Sequence, residues 1–193
     1  MIKQKSYNVG VFMGALRAEK YYPNYTYDEY KEWKGRWEII DGVAYAMSPM
    51  DTPKHQRISN NIGWQLNNLL KDCQKCKAYL PVDWKISNNT VVQPDNLVLC
   101  YEIDEKPYIT KAPSIIFEVL SKSTAMKDLN LKYQIYESEG VEYYITVSPD
   151  SESAKVFKLK DYRYVKIADA TDDKIELELD DCKMEFDFSL IWE

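Results

Sequence analysis

The 193-residue chain has no apolar run near the ~20 residues that a membrane-spanning helix needs, so no helical membrane partner is expected. It is also short of positive charge. Lys and Arg number 25 against 31 Asp and Glu, for a net charge of −6, which argues against the broad basic surface of a tight nonspecific polyanion binder. Histidine occurs once, at His55, and the four cysteines (Cys73, Cys76, Cys100 and Cys182) show no spacing of a disulfide framework. Such cysteine usage fits a reducing, cytoplasmic location. Cys73-x-x-Cys76 has the spacing of half a zinc site, but no second pair accompanies it, and it reads as two ordinary residues near a helix end. Internal repeats, long linkers and low-complexity segments are missing as well. The expectation is one domain over 1–193, with an N-terminal extension (1–24), a core (25–149) and a β-rich C-terminal part (150–193). The apolar stretch at 9–16 is short, ends at Arg17, and reads as part of an extension packing on the domain or a partner.

What is present is strongly patterned. Thr26 and Glu29 form a capping box opening a short helix to about Trp33. Asp41-Gly42 joins two apolar segments as a β-hairpin, with Glu38 on its first strand. Thr52-Pro53 opens a helix to about Lys71, whose stripe of Ile58, Ile62, Leu66, Leu69 and Leu70 includes His55 one turn earlier. Strands are expected at 79–86, 91–100 and 115–120, and a polar loop over 101–113. A helix follows over 123–139 with Leu129, Tyr133 and Tyr136 on one stripe and Asp128, Lys132 and Ile135 beside it, stopping at Gly140. Further strands fall at 141–147, 154–159, 162–167, 175–179 and 184–188.

Two carboxylates interrupt this pattern. Alternation along a strand puts Asp95 on the side of Leu97 and Leu99, and Glu118 between Ile116 and Leu120 in a run too apolar to be half exposed. Buried carboxylates that converge need a cation, a shared proton or a basic partner. Hard oxygen donors without a Cys/His cluster favour Mg²⁺ or Mn²⁺ over zinc. Glu38, an acid breaking another apolar strand, is a further candidate. His55 reads either as a satisfied core group or as a metal ligand or hydrogen-bond donor to one. Other readings remain for the rest: Asp95 capping a turn, Glu118 pairing with His55 or Lys132, and Asp128 with Lys132 as an ordinary i,i+4 helix ion pair. Lys54, Arg57, Lys122 and Lys127 are local cations able to meet phosphates or simply to sit in solvent.

Taken in order, Tyr25-Thr26-Tyr27-Asp28-Glu29-Tyr30, Trp37-Glu38-Ile39-Ile40-Asp41-Gly42, His55-Gln56-Arg57-Ile58, Val92-Gln93-Pro94-Asp95, Glu118-Val119-Leu120-Ser121-Lys122-Ser123-Thr124, and the run from Asp128 to Tyr136 with Gly140-Val141-Glu142-Tyr143-Tyr144 resemble the Uma2 family of restriction endonuclease-like proteins, within the PD-(D/E)XK nuclease superfamily. The resemblance covers about residues 25–149. It implies an α/β (α+β) fold with a mixed central β-sheet flanked by helices. It further implies that Asp95, Glu118 and the main-chain carbonyl of Val119 are metal ligands and that Glu38 is the upstream acid of the site. Where the superfamily pattern has a lysine two residues after the glutamate, this chain has Leu120; Lys132 resembles the relocated lysine of several superfamily branches. The implied function is a Mg²⁺- or Mn²⁺-dependent endonuclease hydrolysing DNA phosphodiester bonds, binding DNA weakly without metal. The alternative, motivated by Leu120 and the acidic balance, is a noncatalytic nuclease-fold binding or scaffold module. A hydrolase for another phosphate ester would use the same chemistry. A homodimer is the expected assembly, since two-fold pairs dominate soluble oligomers.

Overall fold

The computed structural model describes residues 23–47, 52–121, 125–179 and 182–193; the apolar stretch at 9–16, Lys122 and the expected start of the helix at Ser123 lie outside them. After the one-turn helix α1 (Tyr27–Tyr30), strands β1 (Trp37–Ile40) and β2 (Val43–Ala46) form the expected hairpin. Asp41 and Gly42 both take positive φ (50° and 77°), the conformation that a two-residue hairpin turn with the right strand twist requires. Helix α2 (Pro53–Leu69) starts where its signals place it, with the Thr52 hydroxyl accepting the N–H of His55 at 3.2 Å.

Two expected strands break, and each break moves the chain from one sheet to another. Residues 79–86 divide into β3 (Lys77–Tyr79) and β4 (Asp83–Lys85), and residues 91–100 into β5 (Val91–Val92) and β6 (Asn96–Leu99). Proline lies in both gaps, Pro81 and Pro94; it has no N–H to donate to a ladder, so pairing stops there. The smaller sheet has the order β2-β1-β5-β4-β7, where β7 (Tyr108–Ile109) is a short strand inside the expected polar loop that pairs parallel with β4. The larger has the order β11-β10-β9-β8-β6-β3, with β8 (Ile115–Val119), β9 (Tyr143–Ser148), β10 (Ser153–Lys160) and β11 (Arg163–Ala170). Only β8 and β9 in it run parallel; the other pairs are antiparallel. A separate hairpin, β12 (Lys174–Leu179) and β13 (Cys182–Asp187), follows.

Both faces of the larger sheet are covered, so its central strands are apolar on both sides: all five residues of β8 are buried. One face, with Val98, Ile115, Phe117 and Val119, packs against Ile58, Ile62 and Leu66 of α2 and against Leu177, Met184 and Phe186 of the C-terminal hairpin. The other, with Leu97, Leu99, Ile116 and Tyr144, packs against Ile40, Trp84, Val92 and Ile109 of the smaller sheet.

The helix expected over 123–139 is not uniform. It runs as α3 (Ala125–Lys127), a π-helical turn (Asp128–Lys132) and α4 (Tyr133–Ser138), ending at Gly140 with φ 84°. The buried side carries Asp128, Lys132 and Tyr136, with Tyr133 packed beside them; of the expected stripe Tyr136 and Tyr133 face the core, whereas Leu129 is more than a third exposed and Asp128 and Lys132 take the buried positions. The i→i+5 turn changes the helical register, so the period of 3.6 misplaces part of the face.

The cysteines also differ from expectation. Cys73 is joined to Cys182 and Cys76 to Cys100. Cys76 directly precedes β3 and Cys100 directly follows β6, and the Lys77↔Leu99 register sets them opposite each other. Cys182 lies 109 residues from its partner, a pairing no local spacing reveals. Among the described residues no helix is long and apolar enough to cross a membrane.

Candidate active site

Strand alternation explains how buried acids meet. Glu118 shares the β8 face of Ile116, and Glu38 shares the β1 face of Ile40; those two isoleucines belong to the cluster between the sheets, so both carboxylates enter that layer. Glu38 is 0% and Glu118 2% exposed. Between them stands Lys132, itself 2% exposed, with Nζ at 2.8 Å from Glu38 Oε1, 2.9 Å from Glu118 Oε1 and 3.5 Å from Asp128 Oδ1. Lys132 thus makes the i,i+4 helix pair and also reaches both strand acids. Lys127 Nζ pairs with the other oxygen of Glu38, and the Tyr136 hydroxyl donates to Glu118 Oε1 at 2.7 Å.

Asp95 enters from the break between β5 and β6. It is buried, its Oδ2 accepts the Val119 N–H at 2.9 Å, and the same oxygen lies 3.3 Å from His55 Nε2. Helix α2 is tied to this corner by a reciprocal pair: the Ser59 hydroxyl donates to Asn96 Oδ1 at 2.9 Å, and Asn96 Nδ2 donates to the Ser59 carbonyl at 3.0 Å. Asp95, His55, Gln93 and Arg36 line a cavity of about 190 Å³.

The environment divides the acids. Burial opposes ionisation of Glu38, but Lys132, Lys127 and the Gln93 N–H outweigh it and hold the carboxyl below its ordinary value. For Glu118 burial wins: despite Lys132, desolvation and the nearby Asp128, Asp95 and Glu38 push the carboxyl well above the usual range. Burial also disfavours charge on Lys132, yet Glu118 and Glu38 reverse it and keep the ammonium protonated far above its normal range. Two carboxyls of unlike proton affinity bound to one ammonium is the arrangement acid–base chemistry uses.

The family model described as "Putative restriction endonuclease" (Uma2) matches residues 26–183. The chain belongs to the Uma2 family. Its fold is similar to that of a solved protein from Anabaena variabilis ATCC 29413, titled a putative nuclease belonging to DUF820, with a TM-score of 0.71 and 16% identity over 87% of this chain and 97% of that one. Comparison with curated proteins gives no match.

Within this Uma2 fold the structure brings together Glu38, His55, Asp95, Glu118, Val119 and Lys132. It leaves out two of the suggested phosphate-meeting cations: Lys54 pairs with Glu152, and Arg57 donates to the Glu193 carbonyl. Lys127 instead lies at the site, against Glu38. A supporting network escaped sequence reasoning. The Gln93 N–H donates to Glu38 Oε1 at 2.8 Å, Arg36 donates to the Gln93 side-chain oxygen at 2.9 and 3.1 Å, and Gln93 Nε2 donates to Asp83, which also accepts from the Tyr30 hydroxyl. These residues come from α1, from β4, from the residue before β1 and from the strand break, so no spacing signals them. The π-turn is equally silent in the sequence, although such turns recur at functional sites.

Proposed function

We propose that this Uma2 chain is a Mg²⁺- or Mn²⁺-dependent endonuclease that hydrolyses DNA phosphodiester bonds. The observation that carries the reading is Lys132: it supplies from the helix the ammonium that Leu120 cannot, and it rests on Glu118 and Glu38 rather than in solvent. The donor set fits a hard divalent cation. The nearby groups are carboxylate oxygens, and among the described residues neither Oδ1 of Asp95 nor Oε2 of Glu118 accepts a hydrogen bond. Asp95, Glu118 and the Val119 carbonyl would hold the ion, with Glu38 and His55 next to it. When bound, the cation lowers the pKa of water and polarises a phosphoryl oxygen.

The protein's own groups then have distinct tasks. Lys132 is placed to orient the attacking water or to stabilise charge developing on phosphorus. Glu38, held ionised by two lysines, fixes Lys132. His55 and the Val119 N–H orient Asp95 toward the open cavity, the side from which a DNA backbone would approach. Nicking of supercoiled plasmid with Mg²⁺ or Mn²⁺ tests the reading, comparing wild type with Asp95→Ala. Activity confined to wild type is expected; equal nicking by both points to a contaminant. Calorimetry with Mn²⁺ should show binding lost in Asp95→Ala and in Glu118→Ala, and unchanged binding in the folded Glu118→Ala protein removes the proposed ligand set.

One observation favours the second reading, a noncatalytic binding module. Both carboxylate oxygens of Glu38 are already engaged inside the fold, Oε1 by Lys132 and the Gln93 N–H and Oε2 by Lys127. If Mn²⁺ leaves both the folded protein and plasmid unaffected, that reading prevails.

A further inference from the structure

The second chemical cluster is far from the acids in type and in place. The Sγ atoms of Cys73, Cys76 and Cys182 all lie within 4.8 Å of one another, and Cys100 Sγ is bonded to that of Cys76. All four cysteines of the chain line one cavity of about 260 Å³, three of them with their sulfurs already in mutual reach and Cys100 one bond from Cys76; Asp72 and Lys75 line it as well. Two disulfides need two sulfurs each and have no physical reason to adjoin. Four cysteines around one cavity can supply a tetrahedral thiolate site: with Zn–S bonds of about 2.3 Å the sulfurs stand roughly 3.8 Å apart, a spacing that three of them approach and that Cys100 can reach once its bond to Cys76 is reduced.

The elements that deliver them are fixed. Cys73 and Cys76 follow the end of α2 with the two-residue spacing of a zinc knuckle; Cys76 and Cys100 flank a registered strand pair; Cys182 begins β13. The second half of the site thus comes from two strands separated in sequence, which is why the lone Cys-x-x-Cys looked incomplete.

We propose that in the reduced chain Cys73, Cys76, Cys100 and Cys182 bind one Zn²⁺ as a structural site tying the end of α2, the β3–β6 edge and the C-terminal hairpin together. Four thiols bind one Zn²⁺ and release four protons, with no change of oxidation state. The pairing Cys73–Cys182 and Cys76–Cys100 is the metal-free, oxidised form of the same four residues.

The test uses the full chain, isolated in a phosphine reductant from zinc-supplemented medium. About one zinc per chain is expected by elemental analysis, together with protection of all four thiols from alkylation. After zinc removal under reductant, Co²⁺ should give the intense visible bands and thiolate charge transfer of a tetrahedral sulfur site, both lost in Cys100→Ser. Asp95→Ala should leave zinc and the cobalt spectrum unchanged, separating this site from the proposed nuclease centre. Wild-type protein with less than a tenth of a zinc per chain and no cobalt–thiolate bands overturns the proposal, as does zinc retained in a Cys100→Ser/Cys182→Ser double variant. Wild-type measurements decide the matter even if the variants do not fold.

Discussion

The two faces of the larger sheet are equally buried but built differently. The α2 face is formed mainly by aliphatic and aromatic side chains, with the neutral Ser59–Asn96 pair among them and cysteines at its edge, whereas the face toward the smaller sheet interleaves Glu38, Glu118, Asp128 and Lys132 with Ile116, Trp84, Tyr136 and Tyr144. Apolar burial stabilises without requiring partners; a buried charge must be matched, and the match seldom exceeds what a hydrophobic replacement would give. The difference teaches that one face holds the fold together while the other uses some of that stability to keep charged groups dry and close.

The largest effect should come from breaking the charged face. Lys132→Met leaves Glu38 and Glu118 without their shared cation, and a loss of roughly 3–5 kcal/mol is expected in urea denaturation. Plasmid nicking by the folded variant should fall by about 100-fold or more, with Mn²⁺ binding retained, because in the proposed mechanism the ammonium acts on reacting groups and does not hold the ion. Asp128→Asn should cost far less than Lys132→Met; equal losses would reduce Lys132 to a helix ion pair.

On the apolar face, Leu66→Ala should cost about 2–5 kcal/mol through the cavity it leaves, with nicking per folded molecule unchanged. An unchanged denaturation midpoint would mean that this face carries less of the stability than its burial implies.

Smaller effects should have opposite signs at the two acids. Glu118 has a raised folded pKa, so its contribution to stability is present below the unfolded value of about 4.3 and is lost as pH rises through the folded one. Glu118→Gln, which mimics the protonated form, should therefore raise the melting temperature at neutral pH while removing Mn²⁺ binding. Glu38 has a lowered folded pKa, so its contribution is present above about 4.3 and is lost as pH falls through the folded value. Glu38→Gln should flatten that acid limb of the stability profile. A melting temperature lowered by Glu118→Gln at pH 7 would contradict the assignment of unlike acids.

The smallest change is expected outside both faces. Lys54 and Glu152, each about half exposed, form a surface pair, and Lys54→Ala should alter stability by less than about 1 kcal/mol.

Most residues of the candidate site were legible because each violates a period. An acid in Trp37-Glu38-Ile39-Ile40 or in Ile115-Ile116-Phe117-Glu118-Val119 stands out against alternating or continuous apolar residues, and the Asp41-Gly42 and Thr52-Pro53 signals set the elements around them. The reading of 91–100 as one strand still put Asp95 inside, but for an incomplete reason: Pro94 ends the ladder, and Asp95 is buried because the chain crosses between sheets there. The stripe of the helix at 125–138, read at 3.6 residues per turn, holds for Tyr133 and Tyr136 but misplaces Leu129 and misses the burial of Asp128 and Lys132, since nothing local marks a π-turn.

The sequence by itself determined the family, the mixed α/β composition, the hairpin, the long helix and the burial of two acids, because these follow from local chemistry repeated at fixed spacing. Only the tertiary structure decided that Lys132 bridges Glu38 and Glu118, that Gln93 supports Glu38, and that four cysteines line one cavity. Each of these depends on elements distant in sequence packing at fixed distance and angle, and pairings of that kind leave no period in the chain to read.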